Sequence, residues 1–302
     1  MSWKFEELVD TGGRPLGGMA WDGEKLLFSD VNDSTIRSFH PASNTLGIER
    51  RFTNRVNGLA FGSDGALYGC QEGSRRVIRM LADGSSTATA THLNGAPHNH
   101  PHLIVADRKG KFLFTDCYHS LLASGPQVFP MLKHQSVLSL HLGPRPQSHW
   151  DIERLTFDTI RPRGIALSPD EKILYVSDTS NEPDGVREIR AYPVLNDGTL
   201  GPFSLLHTFG QDYKGIHRGA EGMTIDQSGN LLVVAGSNKS GPGAMVYVFS
   251  PKGCLTRAHN LPDCLPVNCA FGDQDLRSLY VSTEDGKLLR ATNLEYQGLI
   301  RS

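Results

Sequence analysis

The sequence predicts an all-β fold, a six-bladed β-propeller. Six copies of one pattern carry this prediction: a short apolar strand, a polar turn such as Ser-Pro-Asp or Ser-Asp-Gly, and further strands rich in β-branched and aromatic residues. The copies begin at Gly18, Asn57, His102, Arg163, Glu221 and Asn268. Their starts lie roughly 40 to 60 residues apart, and a period of this size with almost no helical periodicity is typical of a propeller. The 32 glycines suit a chain built from many tight turns.

The sequence also predicts roles for the N-terminal segment and for residues 120–150, which lie outside the repeat. Residues Trp3–Val9 are strand-like and precede the first copy. In a closed propeller such a segment pairs with the last blade, so we expect the N-terminal strand to close the ring. Because the repeat runs from end to end, the sequence predicts a single domain over residues 1–302. Residues 120–150 have the weakest patterning, and long loops on a β scaffold are common places for substrate-covering elements.

Charge and composition exclude several classes of partner. A formal net charge of −2 gives no electrostatic reason to expect nucleic acid or an anionic membrane as a partner. No apolar run approaches the ~18 residues of a membrane helix, and MSWKFEELVDTGG lacks the apolar segment of a signal peptide. The five cysteines are an odd number without motif spacing, which indicates reduced thiols in a cytoplasmic protein. We therefore expect a small-molecule partner, while the oligomeric state stays open.

Several stretches of the repeat resemble one known family. The chain resembles the SMP-30/gluconolactonase/LRE family in four motifs: NGLAF, RGIALSPDEKILYVSD, EGMTIDQSGNLLVV and NCAFGDQDLRSLYVST. The resemblance covers nearly the whole chain. It implies a six-bladed propeller that hydrolyses lactones or, in some relatives, phosphotriester-type compounds. It also implies a divalent cation, often calcium, held on the propeller axis by residues that open individual blades.

Four of these blade openings depart from the family pattern. The resemblance implies a glutamate ligand where this chain has Gly17, and an asparagine ligand where it has Arg163. An aspartate is replaced by Glu221, and the asparagine of a Pro-Asn-Asp word is replaced by His102. Because calcium takes six or more oxygen ligands, these changes argue against the family calcium site.

The substituted residues suggest two other uses of the axis. Arg163 can replace the cation by neutralising Glu221 and donating to a substrate carbonyl or carboxylate; the alternative is a purely structural ion pair. His98, His100 and His102 occupy alternate positions of one segment, so they can project to one side. Histidines with a carboxylate suit general acid–base catalysis or a transition metal, whereas each histidine alone can be a hydrogen-bonded loop residue.

The sequence therefore predicts a small-molecule hydrolase of lactone or ester type with a polar pocket on the axis. We assign His102 and His100 as general base and acid, Arg163 as oxyanion or carboxylate clamp, and Glu221 as an orienting or proton-transferring carboxylate. Further predicted substrate contacts are His119, Asn268, Asn57 and His98. Asn57 and Asn268 open their blades and have a second interpretation as caps of the inner strands.

Two questions stay open on the sequence alone. The cofactor is either a zinc, iron or manganese ion held by His102 and Glu221, or none. The reaction is either hydrolysis or metal-independent isomerisation, elimination or condensation with the same residues, and a non-catalytic ligand-binding propeller is the third alternative. The sequence contains neither a Gly-x-Ser-x-Gly elbow nor a phosphate- or dinucleotide-binding glycine pattern. Asp30, Asp116 and Asp178 recur after second strands and are expected to stabilise turns.

Overall fold

The structure, a computed structural model, describes residues 2–118, 130–143, 149–180 and 182–299. In these ranges the chain forms six four-stranded antiparallel sheets. The innermost strand of each sheet contacts the innermost strands of both neighbouring sheets, so the sheets form a closed ring of blades. The predicted all-β, six-bladed propeller is confirmed.

Each blade has an inner, a second, a third and an outer strand, and blades one to six follow the chain. The inner strands are Leu16–Trp21, Val56–Phe61, His100–Ala106, Pro162–Leu167, Ala220–Ile225 and Pro266–Gly272. The second strands are Leu26–Asp30, Leu67–Gln71, Phe112–Cys117, Ile173–Thr179, Leu231–Ala235 and Ser278–Thr283. The third strands are Thr35–His40, Arg76–Met80, Ser136–Leu142, Arg187–Pro193, Met245–Phe249 and Lys287–Ala291. The outer strands of blades one to five are Thr45–Arg50, Ser86–Ala88, Trp150–Arg154, Ser204–Thr208 and Leu255–Asn260.

The outer strand of blade six comes from the start of the chain. Residues Glu6–Asp10 pair with the third strand of that blade, Lys287–Ala291. The predicted closure by the N-terminal strand is therefore confirmed. Arg290 donates from Nε to Glu6 Oε1 at 2.6 Å across this seam. Closing the ring in this way pairs an edge that would otherwise expose unpaired backbone groups.

The apolar core consists of layers between blades. Six clusters of buried side chains each combine residues of two neighbouring blades. Between blades five and six, for example, Val246 packs in one cluster with Leu279 and Leu289. Since each blade is covered on both faces by its neighbours, the second strands read as nearly continuous apolar runs rather than as an alternating pattern.

Every inner strand is irregular at the point nearest its start. In blade four Pro162 pairs with Asp178 and the next pair is Ile165 with Val176, so two residues, Arg163 and Gly164, oppose one. A register shift occurs at the corresponding position of each of the other five inner strands. A β-bulge re-aims the side chain that it carries. In blades one to five the first residue of the bulge is Gly17, Asn57, His102, Arg163 or Glu221, whereas in blade six the shift falls at Val267 and Asn268 is paired with Ser282. We call these five residues and Asn268 the axial residues.

Glycine follows the axial residue in four blades because the neighbouring blade is in contact there. A Cβ on Gly58 would lie 2.5 Å from the His102 carbonyl oxygen, and one on Gly164 would lie 2.1 Å from the Glu221 carbonyl oxygen. Gly18 and Gly222 are equally close to the backbone of the next inner strand. The absence of a side chain lets the inner strands approach each other at the level of the axial residues.

The described parts of the chain contain very little helix and no disulfide bond. Their one helical element is the 3₁₀ turn Glu72–Ser74, and they contain no helix with the length and apolarity needed to cross a bilayer. All five cysteines are free thiols, including Cys254 and Cys264.

The close approach of the inner strands predicts a strong effect of one methyl group. We expect Gly58→Ala to lower the free energy of unfolding by about 3 kcal/mol, since the new Cβ overlaps backbone that cannot move alone. Gly210→Ala is the matched control, because a Cβ at Gly210 meets nothing within 4 Å. Scanning calorimetry of both variants checks this. Equal melting temperatures for the two variants would contradict the account of the glycines.

Candidate active site

The axial residues that carry side chains are nearly all withdrawn from solvent. Asn57 is 4% exposed, His102 2%, Arg163 7%, Glu221 4% and Asn268 8%. Buried polar groups of this kind are costly unless they are paired, so their partners indicate how the axis is organised. The contacts divide them into two groups, one in blades four and five and one in blades two and three.

An ion pair joins blades four and five. Arg163 donates from Nε to Glu221 Oε2 at 2.9 Å. Arg218, which precedes the inner strand of blade five, has Nη2 3.7 Å from Glu221 Oε1. The same Nη2 lies 2.8 Å from Glu284 Oε2, and Nη1 donates to the Pro266 carbonyl at 2.7 Å. Glu221 is thus held between two guanidinium groups.

The charges of this cluster fix the protonation of Glu221. Burial alone raises its pKa, but the charges of Arg163, Arg218 and Arg161 outweigh burial and bring the pKa to about 2. Burial works against the charge of Arg163 too, yet Glu221 raises the pKa of that guanidinium above its ordinary value. At neutral pH both groups are therefore charged, and Glu221 carries no proton to transfer.

Two further residues complete this half of the axis. Arg163 Nη1 lies 3.9 Å from Cys117 Sγ. Burial raises the pKa of the Cys117 thiol despite the nearby Arg163 and Arg161. Arg161 donates from Nη1 to the Thr179 carbonyl at 3.3 Å. The Asp178 carboxylate accepts the backbone N–H of Arg161 at 2.6 Å, which confirms the predicted turn-stabilising role of this aspartate and fixes the segment before the strand.

In blades two and three the axial residues meet a carboxylate that the sequence did not indicate. Asn57 Nδ2 donates to Glu72 Oε1 at 2.9 Å and lies 2.9 Å from His102 Nδ1. His102 Nδ1 is 3.5 Å from the same Glu72 oxygen. Arg55 Nη2 is 3.5 Å from Glu72 Oε2, so this half of the axis contains a neutralised ion pair. Glu72 is therefore the carboxylate beside His102, and the amide of Asn57 connects the two side chains.

The orientation of Asn57 determines the tautomer of His102. The backbone N–H of Gly18 donates to Asn57 Oδ1 at 3.1 Å, and this bond identifies which end of the amide is the oxygen. The other end, Nδ2, faces His102 Nδ1 and can only donate. Nδ1 must then be the acceptor, and the proton of the neutral ring is on Nε2. In this state His102 is a hydrogen-bond donor through Nε2.

The other predicted histidines have different positions. His98 is fully buried, its Nδ1 lies 3.0 Å from Asp116 Oδ1, and Asp116 also accepts the N–H of Asn99 at 2.7 Å. His98 thus anchors the approach to the inner strand of blade three, while its predicted substrate contact stays a prediction. His100 is 2% exposed and pairs in the ladder with Cys117. His119 lies outside the described residues.

The opposite end of the axis is hollow and mainly apolar. A cavity of about 580 Å³ is lined by the carboxyl-terminal halves of the inner strands, including Leu59, Ile165 and Met223. Asn268 also lines this cavity, and its Oδ1 accepts the N–H of Cys269 at 2.9 Å. The charged end and the apolar end are thus separated along the same six strands.

The axial residues do not fit a family-type calcium ion. Glu221 is the one carboxylate among them, and it is bonded to the guanidinium of Arg163. Where the family pattern has a glutamate, a Cβ on Gly17 would lie 2.3 Å from Asn57 Oδ1, so the amide fills that space. A site with one paired carboxylate and a fixed positive charge lacks the oxygen ligands that calcium requires.

The prediction of a transition metal shared by His102 and Glu221 finds no support in the contacts of these two residues. His102 contacts Asn57 and Glu72, whereas Glu221 contacts arginines. Among the described residues, no three His, Cys, Asp or Glu side chains form a group that could hold a metal ion. The bulges in blades three and five aim the two predicted ligands at different partners.

Sequence reasoning missed three charged residues of the site. Glu72 lies in the 3₁₀ turn after the second strand of blade two, and Arg161 and Arg218 precede inner strands. The sequence did contain one indication of the two arginines, their position just before a blade opening. Arg161 lies two residues before Arg163, and Arg218 lies three residues before Glu221.

Comparison with known proteins matches this chain to one family and to gluconolactonases within it. The family described as "SMP-30/Gluconolactonase/LRE-like region" matches residues 17–285. A gluconolactonase of Zymomonas mobilis subsp. mobilis is 27% identical over 284 residues, which are 88% of this chain and 75% of that protein. A 6-deoxy-6-sulfogluconolactonase of Pseudomonas putida is 32% identical over 126 residues, 42% of this chain and 39% of the relative. The solved structure of a Xanthomonas campestris gluconolactonase superposes with a TM-score of 0.76 at 26% identity, covering 96% of this chain and 89% of that chain.

The pairing of Glu221 predicts a specific pH dependence of stability. The pKa of this carboxyl is lowered from 4.5 to about 2 by folding, so its pairing contributes stability that is fully present above about pH 4.5 and lost as the pH falls through about 2. The loss amounts to about 3 kcal/mol. We expect this component in the wild type and in the exposed control Glu24→Gln, but not in Glu221→Gln. Denaturant unfolding between pH 5 and 2 measures it, and parallel profiles for all three proteins would contradict the assigned pairing.

Proposed function

This chain belongs to the SMP-30/gluconolactonase/LRE-like family, and from that premise we propose that it is a hydrolase of lactones or related small esters. Similarity to gluconolactonases along most of the chain supports the reaction class. The observation that carries the proposal at the level of residues is the guanidinium of Arg163, which its bond to Glu221 orients on the propeller axis.

Hydrolysis of a lactone requires three changes at the reacting atoms. A water oxygen forms a bond to the carbonyl carbon and gives up a proton, and the carbonyl oxygen becomes negative. The bond between that carbon and the ring oxygen then breaks, and the ring oxygen takes a proton, which yields a hydroxy acid. Groups that stabilise the negative oxygen and groups that move the two protons are therefore needed.

We assign stabilisation of the negative oxygen to Arg163. Its Nε is bonded to Glu221, which orients the guanidinium plane and keeps it charged despite burial. A fixed cation in a buried site interacts with a developing oxyanion more strongly than a mobile one in water. Glu221 has the orienting role only, because a carboxyl with a pKa of about 2 has no proton to donate at neutral pH.

We assign donation of a hydrogen bond or proton to His102, acting through Nε2. This replaces its initial assignment as general base, since Nδ1 is bonded to Asn57 and Nε2 carries the proton of the neutral ring. The general base is then His100, two residues earlier on the same inner strand. Glu72 is a positioning residue that holds Asn57, and Asn57 in turn holds His102.

We further propose that the reaction does not use the family calcium ion, because Arg163 takes its place beside Glu221. Isomerisation, elimination or condensation by the same residues, and ligand binding without catalysis, stay alternative predictions. No contact in the described parts of the chain favours any of them over hydrolysis.

The donor role of His102 predicts a difference between two substitutions. We expect His102→Ala to lower kcat/KM for D-gluconolactone about 100-fold, whereas His102→Gln, whose amide N–H can replace Nε2–H, retains about tenfold more activity than the alanine variant. The exposed His92→Ala is the control and keeps wild-type activity. Acid release followed in a pH-stat, with and without a chelator, measures this.

The same assay separates the possible failures. Equal losses of kcat/KM in the Ala and Gln variants would contradict the donor role and indicate that His102 is the general base. Loss of wild-type activity on chelation, restored by a divalent cation, would contradict metal-independent hydrolysis. Absence of turnover over a panel of lactones would contradict the proposed reaction class.

A further inference from the structure

The cavity at the carboxyl-terminal ends of the inner strands takes no part in the proposed reaction. Its volume of about 580 Å³ lies in the range of small-molecule pockets, and Arg163, Glu221 and His102 are not among the residues that line it. Protein interiors contain few voids larger than a water molecule. A hollow of this size therefore requires a cause in the sequence.

One position of each inner strand produces the hollow. It comes four residues after the last pair that precedes the register shift. The residues at this position, which we call the ring residues, all line the cavity, and four of them are alanine: Ala20, Ala60, Val105, Ala166, Thr224 and Ala270. Larger apolar residues, such as Met19, Leu59 and Ile165, come directly before ring residues. The ring therefore leaves open a space that leucine-sized side chains would fill.

The walls of the cavity favour a neutral ligand. Among the described residues that line it, Asp22 is the one charged residue, and it is exposed. Its Oδ1 already accepts the backbone N–H groups of Glu24 at 2.9 Å and Lys25 at 2.8 Å. No Lys, Arg or His of the described chain lines the cavity, so an anion would lose water there without gaining a cation. A neutral apolar molecule, by contrast, gains free energy when its surface is removed from water.

One buried amide on the cavity wall has an unused donor. Asn268 is 8% exposed and is the one axial residue that lines the cavity. Its Oδ1 accepts the N–H of Cys269 at 2.9 Å, and this bond identifies the oxygen end of the amide. Among the described residues, Nδ2 of Asn268 has no hydrogen-bond partner, whereas Nδ2 of Asn57 donates to Glu72. A buried donor without a partner costs free energy, so Nδ2 is available to an acceptor inside the cavity.

We propose that this cavity is a second binding site, for a neutral, mainly apolar small molecule that carries a carbonyl group. The ring residues and their apolar neighbours contact the body of the ligand, and Asn268 Nδ2 donates to its carbonyl oxygen. Pockets for small molecules commonly combine apolar walls with a few polar groups that fix the orientation of the ligand. The site is separate from Arg163 and His102, and it does not rest on the proposed hydrolysis.

Fluorescence titration with Prodan, a neutral dimethylaminonaphthalene that carries a propionyl ketone, tests the proposal. We expect saturable binding of about one molecule per chain with a Kd below about 100 µM, and a blue shift of the emission on transfer from water to the cavity. The same naphthalene without its ketone binds about tenfold more weakly, because it leaves Nδ2 unpaired. Naphthalenesulfonate, an anion of similar size, binds more weakly than Prodan by about tenfold or more.

Two substitutions locate the bound probe. Asn268→Leu removes the donor at similar volume, so we expect it to weaken Prodan binding about tenfold and to leave the Kd of the ketone-free naphthalene unchanged. Ala270→Leu fills part of the ring and weakens both compounds about tenfold or more. Ala88→Leu, on the exposed outer strand of blade two, is the matched control and changes neither Kd.

Absence of saturable Prodan binding would show that the cavity holds water only and would overturn the proposal. Equal Kd values for the wild type, Asn268→Leu and Ala270→Leu would overturn it too, because the probe then occupies another surface. If Ala270→Leu does not fold, Asn268→Leu decides with the two neutral naphthalenes. Loss of the preference for the ketone in that variant supports the site, and an unchanged preference overturns it. These outcomes do not depend on lactone hydrolysis.

Discussion

The bond from Arg163 to Glu221 is the interaction on which the axis of this propeller depends. A buried carboxylate without a partner costs several kcal/mol, and the guanidinium is what makes this one tolerable. The bond spans two blades, so it also fixes how their inner strands meet. Gly164 permits that approach, because a Cβ there would lie 2.1 Å from the Glu221 carbonyl oxygen. Charge pairing and strand packing are thus parts of one arrangement.

The two ends of the axis differ because the inner strands change character along their length. In blades two to five the strand begins with a bulge that carries a polar axial residue, and all six strands continue with regular pairing and mainly apolar side chains. The charged cluster consequently lies at the start of the strands, and the mainly apolar cavity of about 580 Å³ lies at their end. Asn268 touches the cavity because the register of blade six shifts at Val267, so that Asn268 itself is paired with Ser282.

The fold could be predicted from the sequence because each blade is specified by residues that are close together in the chain. Turn residues and apolar runs recur in every copy, and the N-terminal strand has one free sheet edge to occupy. The axial residues followed from the blade openings. Their partners did not, since a bulge re-aims each side chain: His102 meets Glu72 across blades two and three, whereas the sequence suggested Glu221. Glu72, Arg161 and Arg218 lie in turns and connections, where spacing along the chain says little about direction in space.

The central claim is that Arg163 occupies the place of a cation beside Glu221. Metal analysis of the untagged protein after equilibration with excess calcium and removal of free ions tests it most directly. We expect less than about a tenth of an equivalent of calcium per chain, because the site lacks the oxygen ligands that the ion needs. Retention of about one calcium per chain, lost on replacement of Glu221 by glutamine, would contradict it.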